Sequence, residues 1–233
     1  MSGNNTNLMK IGIFGGTFNP IHHGHLRAAE EVREKLRMDR IVFIPSGTPP
    51  LKTKEIAAAH HRYEMTRLAI AQNSFFEVSD LECRQKGKSY TVKTLEILQQ
   101  ANPDAALYFI LGIDAFLDIP NWWQPERLTA AAHFIVISRP EFRFADLLGS
   151  PYLTTGKQAL RRFDRLDAGI GTVKLKSRKE AFLVRTIPMG ISSTEIRMLI
   201  RHGKSIKYLL PPEVQSYIII NKLYSNLRMR VKG

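Results

Sequence analysis

His22 and His25 stand on either side of Gly24 and follow the turn Gly15-Gly16-Thr17-Phe18-Asn19-Pro20-Ile21. Two ring N–H donors at this spacing can track the charge that develops on a phosphoryl group during transfer, and Gly24 keeps bulk away from the ligand's path. Gly15 and Gly16 let backbone N–H groups approach a phosphate. Their position, between an apolar strand and a helix, is where an open parallel sheet binds ligands. The turn matches neither GxGxxG nor the GxxxxGK[ST] loop, because no lysine follows the second glycine. Clustered histidines can also be surface decoration or metal ligands. The segment offers no carboxylate or thiolate to complete a zinc set, so no protein-held metal is expected.

A second chemical segment is Ile191-Ser192-Ser193-Thr194-Glu195-Ile196-Arg197. Ser192 with Glu195 fits a capping box, and Ile196, Leu199 and Ile200 supply an apolar helical stripe, so part of the motif is explained by a well-capped short helix. The remainder is a dense set of anion donors. Ser193, Thr194, the N–H groups of the first turn and Arg197 can all face phosphate, and the guanidinium can make two hydrogen bonds to it. Two such helix starts in one chain favour a polyphosphate ligand.

The elements that must position these residues alternate. Apolar strands are predicted at 9–14, 41–44, 75–78, 105–111, 133–138 and 182–187, and helices at about 24–36, 60–72, 91–100, 125–132, 194–202 and 211–223. Apolar strands separated by helices imply right-handed crossovers and an α/β fold: a Rossmann-like, doubly wound parallel sheet covered on both faces, with a small C-terminal helical part over 188–224. Residues 141–181 break the alternation with Pro151, Gly156, Gly169, Gly171 and basic clusters, and read as an insertion-like segment. The chain is expected to be one domain over 1–233, with 1–8 a disordered extension.

The composition sets further bounds. The 233 residues carry 34 Lys and Arg against 21 Asp and Glu, a formal charge of +13. Thirteen of the cations and only Glu180, Glu195 and Glu213 fall after position 173, so the excess concentrates in the last quarter. An anionic partner is expected. The single cysteine, Cys83, gives no disulfide framework, and no apolar run approaches 18 residues. A cytoplasmic protein with no membrane partner is expected, and a homo-oligomer stays open. Nucleic acid is the less favoured anion, since the basic residues are not interleaved with an aromatic platform and both motifs would be left without a purpose.

GGTFNPIHHGHL together with ISSTEIR resembles the nucleotidyltransferase superfamily marked by HxGH and a C-terminal SSTxIR, and within it the bacterial nicotinate-nucleotide adenylyltransferases. Supporting stretches are Pro49-Pro50-Leu51-Lys52, Ser89-Tyr90-Thr91, Leu111-Gly112-Ile113-Asp114, Pro120-Asn121-Trp122-Trp123, the 134–140 run ending in Arg139-Pro140, and the 209–214 run. The resemblance covers about 9–140 and 182–224. It implies transfer of AMP from ATP to nicotinate mononucleotide, releasing pyrophosphate, with Mg2+ brought by ATP. It places His22, His25 and Arg197 at the reacting phosphates. Gly15, Gly16, Thr17, Phe18, Gly24, Gly112, Asp114, Ser193 and Thr194 fall around ATP. Trp122 becomes the platform for the pyridine ring, with Trp123, Thr91 and Val92 as donors to its carboxylate and Lys52 and Arg139 near substrate phosphate. Asp114 is otherwise a helix cap, Trp122 a core residue and Lys52 an exposed loop lysine. Two positions depart from the family pattern: Asn19 replaces a frequent Asp, and Leu51 a frequent His. Relatives within the superfamily that act on nicotinamide mononucleotide or another phosphorylated substrate are the neighbouring alternatives.

Overall fold

A computed structural model describes residues 8–48, 56–154, 156–165 and 169–225. Lys52, Pro49, Pro50, Leu51, the first seven residues and the tail after Ser225 lie outside the described residues.

Seven strands form one sheet in the order β3-β2-β1-β4-β5-β7-β6. They are β1 (Met9–Gly16), β2 (Arg40–Pro45), β3 (Phe76–Val78), β4 (Ala105–Gly112), β5 (His133–Ile137), β6 (Ile170–Lys174) and β7 (Glu180–Val184). All neighbours pair in parallel except β6, which runs antiparallel to β7 at the sheet's edge. The fold is α/β and Rossmann-like, as the alternation implies.

Strand period explains why these runs are almost continuously apolar. Successive side chains point to opposite faces, and both faces are covered. Ile11, Ile13, Leu107, Phe109, Leu111, Phe134 and Val136 face one core, while Phe14, Phe43, Ile110, Ile135 and Ile137 face the other. The first core is closed by α4 (Thr91–Ala101), α5 (Ile113–Leu117), α6 (Pro125–Ala131) and α7 (Lys157–Arg165). The second is closed by α1 (His23–Leu36), α2 (Ala59–Ile70), α8 (Ser193–Arg201) and α9 (Pro212–Ile220). A further short helix, α3 (Leu81–Arg84), lies beside β2.

Predicted and observed boundaries agree to within a few residues for the long elements. The 141–181 stretch does not lie apart from the core. Its described residues form a 3-10 turn at Phe144–Gly149, helix α7 and strand β6, and Phe144, Leu147, Leu160, Phe163, Val173 and Leu175 are buried in the first core. The pattern is hard to read because α7 has only two buried positions, Leu160 and Phe163, among four basic residues.

Candidate active site

Strand order reverses between β1 and β4, since the chain moves outward from β1 through β2 to β3 and then returns to the other side of β1. Ligands bind at the carboxyl ends of strands at such a switch point. β1 delivers Gly15, Gly16 and the turn 17–22 there, and β4 delivers Gly112 and Asp114.

His22 is the N-cap residue of α1, in extended backbone, and its carbonyl takes the N–H of His25 at 3.0 Å. The His22 and His25 rings then lie face to face, with centroids 3.7 Å apart and planes 31° apart. The His25 ring meets Phe14 and Phe18 edge-on, which fixes it against the second core. A Cβ at Gly24 would sit 3.1 Å from His22 Cε1 and Nδ1, so a side chain there would push on the ring. His22 is only 4% exposed. Burial, then Arg139 and His23, lowers its pKa to about 4, so the imidazole is neutral near pH 7.

The second motif is 173 positions further along the chain, yet it closes on the same turn. Ser193 Oγ donates to Pro20 O at 2.8 Å, and Arg197 Nη1 donates to Asn19 O at 2.9 Å. Arg197 Nη2 also lies 3.4 Å from Thr194 Oγ1. Ser192 Oγ accepts the Glu195 N–H at 3.1 Å, so Ser192 caps α8 as its position implies. The first turns of α1 and α8 therefore converge, two helix N-termini with their partial positive charge beside one turn.

Gly112 caps α5, and Asp114 falls inside that helix's first turn rather than at its cap. Asp114 Oδ1 is 3.4 Å from Arg139 Nε, and a Cβ at Gly112 would collide with both groups. Glycine at this position is what lets the pair meet. Thr91 and Val92 occupy the first two positions of α4, which has no side-chain cap. Among the described residues no hydrogen bond takes up their N–H groups.

The two tryptophans differ. Trp122 is half-buried, edge-on to Phe109, with its indole N–H on Asp118 Oδ2 at 3.0 Å. Trp123 is 38% exposed, and its ring lies 4.7 Å from that of Tyr90 with Lys93 Nζ 5.0 Å from it. Tyr90 and Lys93 join the aromatic surface although the motif reading did not single them out for it.

Among the described residues no group of three His, Cys, Asp or Glu side chains could hold a metal ion. The N–H groups, imidazoles and guanidinium of the cradle suit an anion.

A model of the cytidylyltransferase-like family matches residues 13–199. A protein of Desulfatibacillum aliphaticivorans named "Probable nicotinate-nucleotide adenylyltransferase" is 44% identical, over 93% of this chain and 100% of its own. A protein of Geobacter metallireducens with the same name is 39% identical, over 94% of this chain and 100% of its own. The chain belongs to the nicotinate-nucleotide adenylyltransferases of the cytidylyltransferase-like family. A solved structure, Plasmodium falciparum nicotinic acid mononucleotide adenylyltransferase complexed with NaAD, overlays with a TM-score of 0.69 at 22% identity, over 92% of this chain and 97% of that one. At that identity the likeness is one of fold. Among the described residues of this adenylyltransferase, no helix is long and apolar enough to cross a membrane.

Two residues that hold the turn belong to neither motif's set of phosphate donors. Asn19 is in sequence only a departure from the family pattern, yet its Oδ1 accepts from Ala57 N at 3.0 Å and from Tyr224 Oη at 2.8 Å, and its carbonyl accepts Arg197. Arg62 is buried beneath the turn. Its signal was present in the spacing, because Arg62 shares the buried face of α2 with Met65, Thr66 and Ile70. An arginine on an apolar helix face asks for an explanation.

Proposed function

We propose that the chain joins the AMP moiety of ATP to nicotinate mononucleotide in a single in-line displacement, giving nicotinate adenine dinucleotide and pyrophosphate on the way to NAD. An oxygen of the mononucleotide phosphate attacks the α-phosphorus of ATP. A new P–O bond forms as the bond to the bridging oxygen of the departing pyrophosphate breaks. The attacking phosphate is already a competent nucleophile, so alignment and charge stabilisation suffice and no covalent enzyme intermediate is needed.

The observation that carries this reading is the convergence of His22, His25 and the α8 motif on one turn at the switch point. His22, His25 and Arg197 act on the reacting phosphates. The N–H groups of Thr17 and Phe18 join them, with Gly15, Gly16 and Gly24 keeping that approach open. Ser193 and Thr194 hold the second helix start in place, and Gly112 and Asp114 lie toward the nucleoside. Mg2+ brought with ATP would offset the negative charge of its phosphates. On the other substrate, Trp122 supplies the ring platform, Trp123 and the Thr91 and Val92 N–H groups serve the carboxylate, and Arg139 serves the phosphate, a role shared by Lys52, which lies outside the described residues. Neutral donors aimed at a carboxylate favour the acid over the amide, because an amide places N–H against N–H.

The test is pyrophosphate release from ATP with nicotinate or nicotinamide mononucleotide. A strong preference for the nicotinate form is expected. Equal rates would remove the carboxylate role of α4, and no release with either would remove the whole reading.

A further inference from the structure

Arg62 is 1% exposed and spends its donors on uncharged oxygens. Its Nη1 donates to Thr17 O at 2.8 Å and lies 3.5 Å from Ser46 Oγ, Nη2 donates to Gly47 O at 2.7 Å, and Nε donates to Ala57 O at 2.9 Å. No ion pair joins Arg62 to a carboxylate among the described residues. The nearby Glu82 is buried, and desolvation raises its pKa against the pull of its hydrogen bonds and of the Arg62 charge, which it faces without a direct contact; its side chain accepts from Thr94 Oγ1. A buried guanidinium whose hydrogen bonds all go to carbonyl and hydroxyl oxygens is unusual in a fold whose need was structural alone.

The turn above it explains the arrangement. Its carbonyls are taken by separate donors: Thr17 O by Arg62, Asn19 O by Arg197 and Pro20 O by Ser193. Carbonyl oxygens repel phosphate, so drawing them aside clears the surface that an anion meets. The Thr17–Phe18 peptide is trans, which puts its N–H opposite its C=O. With Thr17 O held down on Arg62, the Phe18 N–H points away from the buried guanidinium. Among the described residues no hydrogen bond takes up that N–H. Phe18 also has φ 46°, a left-handed conformation that a non-glycine residue keeps only when its surroundings impose it.

We infer that Arg62 is a positioning residue for ATP: it pins the Thr17 carbonyl so that the Phe18 N–H faces the phosphates. Arg62 touches no substrate and acts through the turn. The inference rests on the reading of the site given under Proposed function.

The test is steady-state kinetics of Arg62→Lys, with Arg67→Gln as control. Lys keeps the charge but cannot fork to three carbonyls. Arg67 lies on the exposed side of the same helix, paired with Glu64. For Arg62→Lys the KM for ATP should rise at least about tenfold, while the KM for nicotinate mononucleotide stays within about twofold; the control should move neither. A purely structural role would lower the urea midpoint and the active fraction but leave both KM values in place, and that result overturns the inference. If the variant does not fold, the side-chain Nε–H resonance of Arg62 is followed in the wild type. A shift on adding ATP supports the inference, and an unmoved resonance at saturating ATP overturns it. A wild type that releases no pyrophosphate refutes the underlying reading; a normal wild type beside an unaltered Arg62→Lys refutes the role of Arg62 alone.

Discussion

Burial keeps the His22 imidazole neutral down to a pKa of about 4, against an ordinary value of 6.5. Between those two pH values the unfolded chain binds a proton at this site that the folded chain refuses. Stability therefore declines as pH drops from about 6.5 toward 4 and is unaffected by this group above that window. At pH 5 the linkage amounts to about 2 kcal/mol. His22→Gln removes the titration, so the stability gap between wild type and variant, read from urea midpoints, should change by that amount between pH 8 and pH 5 in the variant's favour. A gap that stays constant would mean the ring titrates alike in both states. For His25, whose ring is set against Phe14 and Phe18, the readout is chemical. His25→Ala should lower kcat by at least about a hundredfold, the scale for losing one donor to a transition state. An active His25→Ala enzyme would take that role away.

At the scale of elements, α8 shows what sequence makes legible. A serine three residues ahead of a glutamate, before an apolar stripe, predicts both where the helix starts and that its first turn is open to an anion, and the Ser192 cap is where that pattern places it. Ser192→Ala should cost about 1 kcal/mol in unfolding free energy. It should also raise the KM for ATP more than that for the mononucleotide, because fraying moves Ser193 and Arg197 off the turn. An unchanged urea midpoint would show that the cap is dispensable. Legibility declines with length. The apolar strands β1, β4 and β5 announce themselves, but α3 and α5 have only four and five residues, barely one helical period. β6 has one buried side chain in five and gains its place from pairing with β7. The site divides the same way. Histidines, glycines and serines carry local signatures, whereas the work of Asn19 and Arg62 depends largely on contacts far along the chain, 45 positions from Arg62 to Thr17 and 38 and 205 from Asn19 to Ala57 and Tyr224, and has no local pattern beyond a cation on an apolar face.

Across the whole molecule, the phosphate cradle has two halves from opposite ends of the chain, and their relative placement is a property of the fold. The sheet sets it coarsely, since β1 and β7 are separated by β4 and β5. Glu31 sets it finely. This carboxylate lies on α1, the helix that begins at His23, and its side chain is 3% exposed. Its Oε1 accepts the Ile187 N–H at 3.0 Å, in the connection from β7 to α8, while Arg27 and Lys35 hold it from its own helix. Lys35 Nζ also donates to Arg185 O in that connection. Burial opposes ionisation of Glu31, but Lys35, the Ile187 N–H and Arg27 together leave its pKa lowered, so it is a carboxylate at neutral pH. Glu31→Ala strands the Ile187 N–H, while Arg27 and Lys35, at 42% and 32% side-chain exposure, can turn to water. The loss should therefore be about 1–3 kcal/mol rather than the larger cost of a fully buried broken pair. The connection it releases leads directly into the Ser193 and Arg197 helix, so the KM for ATP should rise as well. Saturating ATP, which binds only the assembled cradle, should then stabilise the variant less than the wild type at the same concentration. Urea unfolding with and without ATP measures both effects. Equal stabilisation of the two proteins by ATP would show that the halves are held together by the sheet alone.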